Sequence, residues 1–220
     1  MKKILMVGAL VLFSCSHAYA KARYIATSGL YLTGDVGYGI LFAPGGNIVN
    51  GQGVDLNSVG WSGGIGYNWA LDSFNFIGVE TDYFDNGGAT YKSSTGNLQI
   101  HSATVAALLS YTSIWENGVD VFLKGGVGYL QQTNNVQNGY VQIDRYNNLT
   151  GSGTNGTVTG VGVIGVGYYL AKGLNLFVDT TYVYGSDDRY WNHDMISGNS
   201  LDKIEAASSL QFKLGLSYQF

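Results

Sequence analysis

The sequence predicts an all-β fold: an eight-stranded antiparallel transmembrane β-barrel of up-and-down topology, behind a cleaved signal peptide. Three observations carry that prediction. Apolar residues make up 45% of the chain and charged ones only 12%, about half the roughly 25% of a soluble domain. Even so, no apolar run reaches the roughly 20 residues that a spanning helix needs. Beyond Lys21 the apolar residues recur with period two rather than 3.6, as in strands with one face in lipid and the other in a wet interior. The connections between these segments alternate short and long, the pattern of a barrel with tight turns at one rim and loops at the other. Glycine (33) and tyrosine (17) are plentiful and proline (1) is nearly absent, which suits long unbroken strands.

Residues 1–20 read as a signal peptide. Lys2 and Lys3 form its positive end, Ile4 to Phe13 its apolar segment, and Ala18-Tyr19-Ala20 its small-x-small cleavage site. Leu12-Phe13-Ser14-Cys15 competes as a lipidation site at Cys15, although Phe13 is bulky for that motif. Cleavage after Ala20 removes the only cysteine, so the barrel domain, 21–220, is expected to fold without disulfides. The 11 basic residues fall to 9 on loss of Lys2 and Lys3, against 15 acidic, a net charge of −6. That balance argues against a nucleic-acid partner.

The strands follow in order. Gly29 to Leu41 sets Leu30, Leu32, Val36, Tyr38 and Ile40 against Tyr31, Thr33, Asp35 and Gly37. Ser58 to Leu71 carries Trp61, Ile65, Tyr67 and Trp69 on its apolar face; Phe74 to Asp85 points Ile77, Val79 and Tyr83 outward and Glu80 and Asp82 inward. Leu98 to Tyr111 and Gly118 to Gln131 continue the alternation through Val105, Leu109, Leu123 and Val127. Val158 to Leu170, Leu174 to Gly185 and Ile204 to Phe220 complete the set. Each has the roughly 9–11 residues that a tilted strand needs to span a bilayer, or a few more.

Leu71 to Ser73, Thr112 to Asn117 and Ala171 to Gly173 are read as short turns; Phe42 to Asn57, Asn86 to Asn97, Gln132 to Thr157 and Ser186 to Lys203 as longer loops. An even strand count puts both ends on the short-turn side, in the periplasm. Two aromatic belts are expected. Trp69, Phe74, Phe76, Tyr111, Trp115, Tyr168 and Phe220 fall on the short-turn side, and Tyr38, Phe42, Trp61, Tyr83, Tyr129, Tyr182 and Tyr184 at the far rim. A weak repeat supports the hairpins. Gly64-Ile65-Gly66-Tyr67 leads through a turn to Phe76-Ile77-Gly78-Val79-Glu80-Thr81, and Gly165-Val166-Gly167-Tyr168 leads likewise to Leu176-Phe177-Val178-Asp179-Thr180-Thr181.

Leu30-Tyr31-Leu32-Thr33-Gly34-Asp35-Val36-Gly37-Tyr38-Gly39 resembles the first strand of OmpA-like and opacity-type outer-membrane barrels. Ile77-Gly78-Val79-Glu80-Thr81-Asp82-Tyr83-Phe84 resembles that family's inward-acid strand. Phe212, Leu214, Leu216, Tyr218 and Phe220, alternating to the last residue, resemble the signal read by the barrel-assembly machinery. The resemblance spans nearly the whole mature chain in short, degenerate patterns. It implies an outer-membrane location, with outer-membrane lipids and lipopolysaccharide as surroundings, and roles from envelope integrity to adhesion and host contact. No peptidoglycan-binding domain is expected after Phe220.

Candidate chemistry lies in the interior and in the loops. Asp35, Glu80, Lys124, Asp179 and Lys213 fall on inward faces about five to seven residues from the periplasmic rim, as one polar layer. Lys213 is expected between Asp179 and Asp35, and Glu80 opposite Lys124. Buried charges must pair, so the layer reads as a structural plug, with a narrow ion path as the alternative. Gly160-Val161-Gly162-Val163-Ile164-Gly165 matches a dinucleotide-binding glycine pattern, but it lies within a strand rather than between strand and helix. Its change of parity suggests a bulge. His101 and Ser102 raise a lipid-hydrolase question, yet adjacent strand residues point to opposite faces. His193 with Asp187, Asp188 and Asp194 offers oxygen ligands for a divalent cation or, equally, a solvated loop. Tyr190 and Trp191 are the aromatic contacts of the last loop, suited to a host or matrix ligand. The expected function is envelope structure or surface interaction. A narrow channel comes second and a lipid-modifying enzyme third; no catalytic residue, cofactor or metal is assigned.

Overall fold

The computed structural model describes residues 28–42, 51–55, 57–93, 95–139, 141–142, 148–149, 152–185 and 206–220. Eight strands build the wall: β1 Gly29–Phe42, β2 Asn57–Ala70, β3 Asn75–Ser93, β4 Asn97–Ile114, β5 Val119–Gln137, β6 Ser152–Ala171, β7 Leu174–Val183 and β8 Ser208–Gln219. Each pairs antiparallel with its chain neighbours. Strand β8 returns to β1, with Tyr31 opposite Gln219 and Phe42 opposite Ser208, and closes the barrel. Closure matters because hydrocarbon offers no partner to an unpaired N–H or C=O.

The alternation in the sequence is the alternation of environment. On β4 Leu108 is 2% exposed and Leu109 69% exposed, so a one-residue step moves a leucine from lumen to lipid. The outward set includes Leu30, Val36, Ile65, Val79, Val127 and Leu214. Inside, Phe84, Ala106, Leu108, Phe122, Leu130, Val161, Val163, Phe177 and Val183 pack as one buried apolar cluster. The interior is therefore not the wholly polar plug that the inward charges alone suggest.

At the short-turn rim the chain reverses tightly. In the β2–β3 turn Asp72 Oδ1 accepts hydrogen bonds from the backbone N–H groups of Phe74 and Asn75, at 2.7 and 2.8 Å. With the Asn75 amide, these hold the exposed Asp72 carboxyl below the usual carboxylate range. In the β6–β7 turn Gly173 has φ of 78°, and a Cβ there would meet Gln219 O at 2.4 Å. Only glycine accepts both that dihedral and that contact.

Several expectations are corrected. Strands β3, β4, β5 and β6 run to 19, 18, 19 and 20 residues. Much of what composition marks as loop in 86–97 and 132–157 is therefore paired strand, because Asn, Gly, Thr and Gln sit readily on a sheet wet on its outer face. At about 3.4 Å per residue and a tilt near 45°, such a strand rises about 45 Å, against an apolar band of about 25 Å. The β3–β4 and β5–β6 hairpins thus stand well clear of the membrane. A short strand, Gly51–Asp55, pairs with the upper end of β3, and Val141–Gln142 pairs with Asn148–Leu149 between β5 and β6.

The bulge lies on β3, not in the 160–165 glycine segment. Pairing with β4 slips between Asp85 and Gly87, so Asn86 is the extra residue. Across β5, β6 and β7 the register through Val161–Gly165 is continuous; Gly160 and Gly162 simply face outward and Gly165 inward. Phe76, expected in the lower aromatic belt, is buried at 2% exposure. It shares parity with Glu80 and Phe84 and so faces the lumen.

Candidate functional site

Two lysines organise the lumen. Lys213, on β8, lies between β7 and β1, where the register sets it opposite Asp179 and Gly37. Its Nζ is 3.1 Å from Asp35 Oδ1 and 3.7 Å from Asp179 Oδ1, and it donates to Ser62 Oγ at 2.8 Å. Ser62 Oγ in turn donates to the Asp35 carboxylate, at 2.6 and 2.5 Å from its two oxygens. Thr181 donates to Asp179 at 3.1 Å. The same ammonium lies 4.9 Å from the centroid of the Phe84 ring across the barrel. The glycines beside it make this possible: a Cβ on Gly37 would meet Lys213 Cγ at 2.8 Å and the β8 backbone closer still.

The second centre joins β3 to β5 across β4. Lys124 Nζ is 2.5 Å from Glu80 Oε2, and Tyr31 Oη donates to the same oxygen at 2.8 Å. Lys124 also lies 5.4 Å from the Phe122 ring centroid. Below it, toward the short-turn rim, the Asn175 amide approaches Asp120 Oδ2 at 3.3 Å. All five predicted layer residues thus line the lumen, in two pairing groups rather than one ring.

Sequence reasoning left Tyr31, Ser62, Asp120 and Asn175 without a role. Parity had already put Tyr31 on the face of Asp35. What parity lacks is the stagger between strands, which decides that Tyr31 reaches Glu80. Outside the lumen, Phe212, Leu214, Leu216, Tyr218 and Phe220 are all exposed on the lipid-facing side, and the Phe220 N–H donates to Leu30 O at 2.9 Å. His101 is exposed while Ser102 is fully buried, so the two occupy opposite faces; His101 Nε2 lies 3.3 Å from Asp85 Oδ1 instead. Tyr190, Trp191, His193 and residues 1–20 lie outside the described residues.

Electrostatically, two ion-pair centres organise the lumen, with Glu80 Oε1, Asp82 Oδ1 and Asp120 Oδ1 buried around them without a hydrogen-bond partner. Lys124 is held by Glu80 and Lys213 by Asp35, with Asp179 a little further off, and the apolar cluster fills the section beside them. Such an arrangement resists both water threading and rearrangement, because separating either pair leaves a charge in low dielectric.

No curated protein matches the chain. Among solved structures the barrel is similar to Neisserial surface protein A, with a TM-score of 0.50 and 14% identity over 89% of this chain and 99% of that one. The N-terminal barrel domain of Pseudomonas aeruginosa OprF matches with a TM-score of 0.48 and 12% identity, over 89% of this chain and all of that one (100%). The attachment invasion locus protein Ail of Yersinia pestis matches with a TM-score of 0.47 and 12% identity, over 88% and 100%. At such identities the likeness concerns the fold alone. The family model for the outer membrane protein β-barrel domain matches residues 7–220; with the closed, lipid-faced eight-stranded wall, this establishes that the chain is an outer-membrane protein and belongs to that β-barrel family.

Proposed function

We propose that this barrel is a closed, non-catalytic scaffold that presents its long hairpins at the cell surface for contact with a partner. The observation that carries the reading is the contrast between its two halves. The membrane section is filled by ion pairs and apolar side chains, while β3–β4 stays paired beyond the Asn86 bulge as far as Lys92–Asn97 and β5–β6 as far as Asn135–Ser152. A pore needs an open section and a lipid hydrolase needs a nucleophile beside its histidine, whereas a contact protein needs a rigid stalk. The stalk's outer face supports this. Gln99, His101, Thr133 and Thr154 are exposed, and His101 sits opposite Thr133 and Thr133 opposite Thr154 in a cross-strand row. Such polar donors and acceptors suit a protein or glycan.

The test is adhesion of cells displaying the barrel to matrix-coated surfaces and host cells. Replacing residues 133–155 by a two-residue turn should leave heat-modifiable migration of the folded barrel intact and abolish adhesion. Adhesion retained by the shortened barrel, or absent from the full-length one, overturns the proposal.

A further inference from the structure

Above the membrane section the wall continues as a sheet whose two edges differ. Strands β3 to β6 rise together past the rim. On one side the short strand Gly51–Asp55 runs along β3, from Gly51 opposite Ser93 to Asp55 opposite Thr90, and covers that edge. On the other side β7 stops early. Its register with β6 ends at Val183 opposite Val161, with one further bond from the Tyr184 N–H to Gly160 O at 2.9 Å. Thr159 Oγ1 then donates to Tyr184 O, and the Gly185 N–H turns to Ser208 Oγ on β8, at 2.8 Å. Residues 152–159 of β6 stay paired with β5, and among the described residues no strand takes their other side. At ~3.4 Å per residue this leaves roughly 25 Å of open edge.

Strand geometry fixes which groups face that side. In an antiparallel ladder the N–H and C=O of one residue point to the same neighbour, and those of the next residue to the other. Gly160 O receives a donor from β7, whereas the Tyr169 N–H donates to Gly118 O beside β5 at 3.0 Å. Even-numbered residues of β6 therefore point toward β7 and odd-numbered ones toward β5. The register with β5 runs unbroken from Tyr168 to Ser152, so the parity holds to the top of the strand. The backbone groups of Ser152, Thr154, Gly156 and Val158 face the open side. Val158 O receives Thr157 Oγ1 at 3.4 Å, too long to occupy it fully.

Proteins blunt an exposed edge with lysine, proline or a bulge. Ser152 to Thr159 reads Ser-Gly-Thr-Asn-Gly-Thr-Val-Thr, with no charge and no proline, and carries no bulge against β5. A row of backbone donors and acceptors at strand spacing is complementary to another extended backbone, whereas a glycan meets side chains. From these observations we infer that the edge of β6 above Gly160 takes up an extended segment of a partner protein as an added strand. Resting on the hairpins as the contact surface, this moves recognition from the side chains of the stalk to the backbone of its edge. Ser152, Thr154 and Val158 are exposed and favour uncharged, β-branched neighbours on the incoming strand.

The experiment is amide exchange, followed by nuclear magnetic resonance, on the refolded full-length mature barrel in lipid nanodiscs. Alone, the N–H groups of Thr154, Gly156 and Val158 should exchange about tenfold or more faster than those of Gly153, Asn155 and Thr157, which β5 protects. A short lysine-flanked peptide of alternating threonine and valine should slow the first set to the rate of the second. The same peptide methylated at each backbone nitrogen should not. Equal protection of both sets in the barrel alone overturns the inference, because the edge is then already covered by this chain or by a second copy. So does a peptide that leaves exchange unchanged, or equal slowing by its methylated form. On barrels displayed by cells, Thr154→Pro deletes an edge donor without touching the ladder to β5. It should abolish adhesion and keep heat-modifiable migration, whereas Thr154→Ala, which loses the side chain alone, should adhere like the unmodified barrel. Adhesion kept by Thr154→Pro, or lost equally in Thr154→Ala, overturns the edge as the contact and leaves the stalk's contact role standing. Adhesion absent from the unmodified barrel overturns that role instead, and the exchange rates still decide the edge.

Discussion

Lys213 shows how much a single side chain carries in a lumen this narrow. It touches Asp35, Asp179 and Ser62 on three strands and lies over Phe84 on a fourth, so its removal strips from two buried carboxylates the only ammonium contact they have among the described residues. Losing one partner of a buried ion pair costs about 3–5 kcal/mol, because the remaining charge stays desolvated. Lys213→Ala should therefore lower the urea midpoint of the barrel in lipid vesicles by that energy. Lys213→Ala combined with Asp35→Asn and Asp179→Asn should recover most of the loss. A single substitution that costs less than the triple one would show that the lysine does not hold these acids. The sequence makes this residue legible by parity alone. Asp35, Asp179 and Lys213 alternate with Val36, Val178 and Leu214, which the bilayer requires to face outward. Parity with Trp61 also turns Ser62 inward, but it does not reveal that Ser62 bridges Lys213 and Asp35, which depends on the stagger between strands.

Strand ends are where composition misleads. Asn86-Gly87-Gly88 reads as loop, and a strand was expected to stop at Asp85. Instead β3 absorbs Asn86 as a bulge and resumes with Gly87 opposite Ser102. The slip exchanges the faces of everything above it. Below the bulge Glu80, Asp82 and Phe84 are inward; above it Ala89 and Tyr91 are, so the odd-numbered residues take the buried face. A bulge of this kind breaks a parity argument while conserving the ladder. Gly87 makes it possible, with φ of 77° and Ser58 Oγ 1.9 Å from where a Cβ would sit. A non-glycine residue in that left-handed region costs about 1–2 kcal/mol before any clash. Gly87→Val should cost at least that in the same urea experiment and should also loosen the upper hairpin, read as faster proteolysis between residues 87 and 101. Unchanged stability would mean that β3 can pair straight through Asn86.

At the scale of the whole barrel, the question is what seals it. The inward charges alone suggest a plug that a single lysine substitution opens. The structure places apolar side chains directly beside those charges, with the Phe84 ring against Lys213 and the Phe122 ring against Lys124. Phe122 and Phe177 meet edge to face at a centroid distance of 5.6 Å, and Phe84, Leu108, Leu130, Val161 and Val163 fill the section around them. An eight-stranded barrel is just wide enough for side chains to fill it, and a dry apolar section blocks ions by desolvation whether or not the charges beside it are paired. The refolded barrel should therefore give no stepwise current in a planar bilayer, and Lys124→Ala alone should stay silent because the apolar section remains. Opening should require both layers to be cut, as in Lys124→Ala with Phe84→Ala and Phe122→Ala, which should give discrete steps if the variant keeps its heat-modifiable migration. Current through the unmodified barrel would show that neither layer seals. Current through Lys124→Ala alone would put the seal in the ion pair and make the apolar cluster mere filling. Silence from both, with steps from the combined variant, is the outcome that a scaffold sealed by its own core requires.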